Sequence, residues 1–340
     1  MRVGINGLGR IGRAILRQLW EQQNHICTHI NDINNDIENL AYMILHDSVY
    51  GRFPGQVEVS AARLITLQTN QSRWDIQVSN HPAITSVGWS DTDCVIDSSG
   101  VEGNALSYRD IKGDAPSHVI VTHTFAEADF TLVFGVNEEL FDPSQHRIIS
   151  SSICDAGAIA PVLKQISDRY GLNQCFITTL HPWLPYQNIT DGPICSEAYP
   201  KLWHGYYPLG RASVGALIPK PTTVGQVLES LIPVMKGRIS SMSYRAPTSV
   251  VASADISIVT SSSVNTQHLR ALLISLNGSL VRCSNEMLVS VDYKGETASA
   301  IIDLRWLEVL NEHYVKLVLW YDNEWGYSAR VIDILDLLSK

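Results

Sequence analysis

Two stretches of this chain carry residue types that could do chemistry, and each stands where an element begins. Gly7-Leu8-Gly9-Arg10-Ile11-Gly12 has the GxGxxG spacing, between a strand-like Met1 to Asn6 and a helical Arg10 to Trp20. In that setting Gly7 permits a tight turn, Gly9 lets the backbone approach a pyrophosphate, and Gly12 lets the helix pack closely on the strand. The helix N-terminus, where Arg10 and Ile11 stand, favours the anion through its free N–H groups and its dipole. Asp32 follows a second strand candidate, Ile26 to Asn31. A carboxylate there bonds ribose hydroxyls and repels a 2′-phosphate, which points to NAD rather than NADP. The second stretch surrounds Cys154. It opens a helix candidate, Ala156 to Tyr170, after the strand-like Arg147-Ile148-Ile149-Ser150. A thiol at a helix N-terminus ionises more readily, and the thiolate is the nucleophile. A lone cysteine is more often a small packing residue, so Cys154 needs a partner; His181, closing the strand candidate Cys175 to Leu180, is a histidine at such a strand end.

The elements that must position these residues fall into two kinds. In the first third, short apolar runs alternate with helical patterns, and Cys94 to Asp97 and His118 to Thr122 add further strand candidates. This is the pattern of a parallel sheet built from βαβ units. From about Ser151 the chain is richer in Val, Ile, Ser and Thr, and Ser249 to Thr260, Met287 to Tyr293 and His313 to Trp320 read as long strands. Pro182 to Leu209 reads as a long ordered loop, and such loops are often functional. Val331, Ile332, Ile334 and Leu335 give the end, Ser328 to Leu338, helical spacing. The expected fold is an α/β Rossmann dinucleotide-binding domain plus an α+β catalytic domain with a mostly antiparallel sheet. The first would span 1–153 with a returning C-terminal helix at 325–340, the second 154–324.

Composition limits the partners. A net charge of −9 over 340 residues argues against nucleic acid, which needs a positive field. No run reaches the roughly 18 apolar residues of a membrane span. The chain enters a strand-like pattern at once, so a cytoplasmic protein without a signal peptide is expected. Six cysteines (Cys27, Cys94, Cys154, Cys175, Cys195 and Cys283) lack CxxC spacing and the histidines lack HExxH spacing, so neither a disulfide framework nor a metal is expected.

The chain resembles the glyceraldehyde-3-phosphate dehydrogenase family, which includes erythrose-4-phosphate dehydrogenase, nearly end to end. The resemblance rests on Gly4-Ile5-Asn6-Gly7-Leu8-Gly9-Arg10-Ile11-Gly12-Arg13 and on Trp320-Tyr321-Asp322-Asn323-Glu324-Trp325-Gly326-Tyr327-Ser328. Between them lie Asn31-Asp32, His46 to Phe53, Gly135-Val136-Asn137 and Arg245-Ala246-Pro247-Thr248. The resemblance implies a homotetramer, with the loop after His181 lining a neighbour's cofactor site. It makes Cys154 the nucleophile and His181 the base that takes its proton. It adds Thr122, Asn323 and Tyr327 to the NAD site, Asn323 holding the nicotinamide carboxamide. Thr222, Arg211 and Arg245 match anion-site positions. The implied reaction passes through a thiohemiacetal and a thioester, which inorganic phosphate resolves to an acyl phosphate.

The departures gather around phosphate. Where the family has Ser-Cys-Thr-Thr-Asn, this chain has Ile153-Cys154-Asp155-Ala156-Gly157, and Leu184 stands where a Thr is usual. Two hydroxyls are gone, and Asp155 should repel phosphate and oppose ionisation of Cys154, while also suiting a helix N-terminus. Three readings follow. One is phosphorylating oxidation of a short phosphorylated aldehyde such as glyceraldehyde 3-phosphate. Another is the same mechanism on a different aldehyde, with water or another acceptor. The third, from another class, is a non-catalytic NAD-binding regulatory protein, which would need neither Cys154 nor His181.

Overall fold

Val3 and Ile5 are fully buried in the strand Arg2–Asn6, as a strand covered on both faces of a parallel sheet requires. This strand is central in a nine-stranded sheet in the computed structural model, which describes residues 1–111, 115–193 and 206–340. From one edge the order is Phe130–Thr131, Ile148–Ser150, His118–Val121, Cys94–Asp97, Arg2–Asn6, Ile26–Asn31 and Arg73–Ser79, all parallel. Leu64–Gln68 and Gln56–Ser60 then extend it antiparallel. The helix Arg10–Gln22 connects the first two strands in chain order, burying Ile15, Leu16 and Leu19. This sheet belongs to one of two compact units, made of Met1–Leu132, Glu139–Ser152 and Ser328–Lys340. Within it the chain end is tied back by His25 Nε2 to Asp336 Oδ1, 2.9 Å.

The second unit comprises Val133–Glu138 and Ile153–Tyr327. Its sheet has eight strands, in the order Ile218–Lys220, Ile239–Ala246, Gln174–Pro182, Ala252–Val259, Tyr314–Tyr321, Ala300–Asp303 and Val281–Ser284, with Glu308–Leu310 also beside Tyr314–Tyr321. Two of its pairings are parallel and the others antiparallel. Along Gln174–Pro182 the buried side chains are Cys175, Ile177, Thr179 and His181, while Phe176 and Leu180 face outward. The helix Cys154–Tyr170 covers that inner face, its Ala158, Ile159, Val162, Leu163 and Ile166 packing into one core with Cys175, Ile177, Ala254 and Ile256. Burying one such aliphatic side chain stabilises by about 1.5–3 kcal/mol, so helix and sheet hold each other in register.

One sequence expectation is corrected. Met287 to Tyr293 is not a strand: it runs irregularly into the short 3-10 helix Ser290–Tyr293, with Met287, Val289 and Val291 exposed. The Asp292 carboxylate accepts from Val289 N–H at 2.8 Å, a local bond that competes with a strand ladder. Of the long loop Pro182 to Leu209, residues 194–205, including Cys195, lie outside the described residues.

Candidate active site

The dinucleotide turn has the geometry its sequence predicts. Gly7 has φ +91°, and a Cβ there would meet Ser99 backbone at 2.7 Å. A Cβ on Gly12 would lie 2.2 Å from Gly7 O, so only glycine lets this helix start against this strand. Gly9 differs: nothing lies within 4 Å of its Cβ position, leaving an open face for a ligand. The helix Arg10–Gln22 that carries Ile11 has no side-chain cap and no acidic residue in its first turn, so its N-terminus stays suited to an anion. Asp32 Oδ2 accepts from Leu8 N–H at 2.6 Å, fixing the carboxylate beside the turn, and Arg10 is held by Asp47 at 2.6 Å. Asn6, Asp97 and Val121 are aligned across three parallel strands. Thr122 therefore leaves the sheet at the same edge as Gly7, its hydroxyl donating to Asp97 O at 3.1 Å. That edge, at the carboxyl ends of parallel strands, is where open α/β sheets bind ligands. The residues fit an NAD pyrophosphate and ribose.

In the second unit, Asn323 and Tyr327 are buried near the start of the helix Trp325–Leu338. Asp322 Oδ1 accepts from the N–H groups of Glu324 and Trp325, which sets the turn that holds Asn323. The Asn323 Oδ1 atom is buried without a partner among the described residues, an acceptor suited to an amide N–H.

Cys154 starts the helix Cys154–Tyr170 over the end of the strand that carries His181. Its Sγ lies 3.6 Å from His181 Nε2 and 3.6 Å from Asp155 Oδ1. Asp155 is buried, and the same Oδ1 accepts from the Tyr321 hydroxyl at 2.7 Å. His181 is in register with Arg245 on the adjacent parallel strand. Arg245 Nη1 sits against His181 Nδ1 and donates to Pro182 O at 3.1 Å, while its Nη2 donates to the Tyr186 hydroxyl at 3.2 Å. Nδ1 is itself 3.0 Å from Pro182 O. An arginine can only donate, so the Arg245 Nη1 contact and the Pro182 O contact ask opposite roles of Nδ1; with the proton on Nδ1 and given to Pro182 O, Nε2 presents its lone pair to the thiol.

These neighbours set the charges. Burial, then the Asp155 carboxylate and its hydrogen bond, push the Cys154 thiol well above its ordinary range, and Arg245 opposes this. Burial and the Arg245 guanidinium pull His181 down to about 4, so the imidazole is neutral at pH 7. Lys220, at the end of Ile218–Lys220, is brought to about 8 by burial and by Arg245, against the attraction of Asp155 and Cys154. Cys154, Asp155 and His181 also have the composition of a metal site, with donor atoms within 4.8 Å of one another. The cations Arg245 and Lys220 beside them oppose a metal ion there.

The structure thus gathers Cys154, His181, Asp155 and Arg245. Thr222 instead accepts weakly from Val224 N–H, at 3.4 Å, at the start of a helix. Arg211 is 71% exposed and paired with Asp191 at 3.1 Å. Sequence reasoning passed over Tyr321 and Lys220. Tyr321 lies within the C-terminal motif, and Lys220 is two residues before Thr222, so both were close to positions already singled out.

One unit carries a turn shaped for a dinucleotide, and the other a thiol 3.6 Å from an imidazole at a helix N-terminus, an arrangement suited to a nicotinamide-dependent dehydrogenase. Comparison with known proteins narrows the class. Residues 1–105 match the family domain described as "Glyceraldehyde 3-phosphate dehydrogenase, NAD binding domain", and residues 153–323 match its C-terminal domain. The chain is 33% identical to glyceraldehyde-3-phosphate dehydrogenase 1 of Schizosaccharomyces pombe, over 98% of this chain and 96% of that protein. It is 36% identical to the glyceraldehyde-3-phosphate dehydrogenase of Mastigamoeba balamuthi, over 98% and 97%. With the cytosolic enzyme of Gracilaria gracilis the identity is 32%, over 100% and 98%. The chain belongs to the glyceraldehyde-3-phosphate dehydrogenase family, and its cofactor is NAD.

Proposed function

We propose that this protein oxidises a short anionic aldehyde, of which glyceraldehyde 3-phosphate is the pattern, with Cys154 as nucleophile and His181 as its proton acceptor. The observation that carries this reading is the 3.6 Å approach of Cys154 Sγ to His181 Nε2 at a helix N-terminus. The thiol adds to the aldehyde carbon: a C–S bond forms, the carbonyl electrons move to oxygen, and the thiol proton passes to Nε2. A neutral His181 is in the protonation state this step requires. NAD, when bound, supplies the hydride acceptor. The alkoxide takes the proton from His181 Nε2; hydride then leaves the thiohemiacetal carbon, the hydroxyl proton returns to Nε2, and a thioester remains on Cys154. Inorganic phosphate then attacks the acyl carbon, the C–S bond breaks, and an acyl phosphate leaves. Gly7, Gly9, Gly12 and Asp32 would hold the cofactor's pyrophosphate and ribose, and Asn323 its carboxamide.

Asp155 favours a second reading of the last step. A buried carboxylate beside the thioester repels phosphate but not water, whose attack would release the free acid. NADH formation with an aldehyde panel, with and without phosphate, separates the two. Phosphate-dependent turnover of glyceraldehyde 3-phosphate supports the first; turnover indifferent to phosphate supports the second. Cys154→Ala is expected to abolish NADH formation with NAD binding retained, and full turnover in that variant would refute the mechanism. Family membership also supports a cytoplasmic homotetramer, which light scattering of the purified protein tests. No helix among the described residues is long and apolar enough to cross a membrane.

A further inference from the structure

Lys220 has no part in the steps above, yet the sheet carries it to the nucleophile. The strand Ile218–Lys220 pairs antiparallel with Ile239–Ala246, placing Ile218 opposite Arg245 and Lys220 opposite Ser243. Ser243 Oγ accepts from Thr179 Oγ1 at 2.9 Å, and Thr179 precedes His181 by two residues on the same inner face. Lys220, Ser243 and Thr179 therefore form a buried row beside Arg245 and His181. Ile218 and Lys220 are both buried while Pro219 between them is exposed, so the lysine points inward, with 9% of its surface exposed.

Beside the neutral His181 and the Cys154 thiol stand two cations, Arg245 and Lys220, and the carboxylate Asp155. Arg245 is 6% exposed, and its Nε is buried without a partner among the described residues. A buried donor without an acceptor is costly, and an anion drawn to Arg245 Nε relieves it. A carboxylate at 155 alone would repel that anion; Lys220 offsets it.

We propose that Lys220 acts with Arg245 to hold a phosphate group in this site, and that Lys220 is a specificity-determining residue compensating for Asp155. The phosphate has two sources under the aldehyde-oxidation reading: the substituent on the aldehyde, or inorganic phosphate as acceptor. Lys220 loses its proton as pH rises through about 8, facing Arg245, Asp155, Cys154 and His181, so phosphate binding weakens above that pH.

Calorimetric titration of the full chain with inorganic phosphate tests the grip without any turnover. The wild type is expected to bind, Lys220→Met to bind at least about tenfold more weakly, and Lys220→Arg to recover most of the loss. Unfolding melts of the variants report whether each is folded. Absent binding by the wild type, or equal binding by folded Lys220→Met, overturns the proposal. Kinetics then identify the source. A fall of about tenfold in the kcat/KM ratio for glyceraldehyde 3-phosphate over unphosphorylated glyceraldehyde assigns the grip to the substituent. A raised KM for inorganic phosphate alone assigns it to the acceptor. Equal losses on all three would make Lys220 merely structural. Phosphate binding lost in Lys220→Met, without NADH formation from any aldehyde, would sustain this proposal and sink the aldehyde-oxidation reading instead.

Discussion

Asp155 is pulled in opposite directions by its two surroundings. As the acidic residue in the first turn of Cys154–Tyr170 it complements the helix dipole, and it receives the Tyr321 hydroxyl at 2.7 Å. Next to Cys154, burial first and then the same charge push the thiol up, toward its protonated form. Asp155→Asn keeps the size and an acceptor oxygen but removes the charge. Alkylation of Cys154 by iodoacetamide at neutral pH is therefore expected to speed up several-fold in that variant. A slower reaction would mean that the carboxylate receives the thiol proton and that its role is activating. Tyr321→Phe tests the other side. It leaves a buried carboxylate short of one donor, and a loss of roughly 1–3 kcal/mol of stability is expected, read from denaturant unfolding.

The elements differ in how much of their placing is local. Gly9 and Gly12 sit three residues apart in one turn, yet opposite outcomes are expected on substitution. Gly12→Ala forces a Cβ to 2.2 Å from Gly7 O, so the helix must move off the strand; a loss of roughly 1–3 kcal/mol or more is expected by thermal melting. Gly9→Ala meets nothing within 4 Å, so the melting temperature should hold while NAD affinity falls. A thermal loss in Gly9→Ala equal to that of Gly12→Ala would show that the glycines are structural alone. The turn was legible in the sequence because its spacing, its flanking strand and Asp32 are all short-range. The place of Cys154 at a helix start was legible too, since a long helical stretch follows it. The Arg245–His181 pairing was not. It depends on parallel pairing of strands 64 residues apart, and Ile239–Ala246 reads Ile-Ser-Ser-Met-Ser-Tyr-Arg-Ala, with no apolar alternation to announce a half-buried strand. Lys220 was hidden for a similar reason, because its strand has only three residues. Met287 to Tyr293 failed in the other sense: its apolar residues look strand-like, but Asp292 closes a local turn and leaves them outside.

At the scale of the whole molecule, each unit buries a histidine that must stay neutral. In the first, His29 lies against Ser79 Oγ at 2.8 Å and is pulled down to about 4 by burial and by His81. In the second, His181 is brought to about 4 by burial and by Arg245. An unfolded histidine takes its proton near pH 6.5, so on acidification the unfolded chain binds protons before the folded one does. Stability is therefore unaffected by these groups above about pH 6.5 and is lost as pH falls from there toward 4. Each histidine contributes up to roughly 3 kcal/mol of that loss if its shift is fully expressed. Because the two lie in different units, their effects should be close to additive. Melting the wild type, His29→Gln, His181→Gln and the double variant at pH 7.5 and 4.5 checks this. Each single variant should flatten the acid slope, and the double variant should flatten it by the sum. A slope unchanged by both substitutions would place the acid sensitivity in the carboxylates. Two separate transitions, each moved by one substitution alone, would show that the units unfold independently.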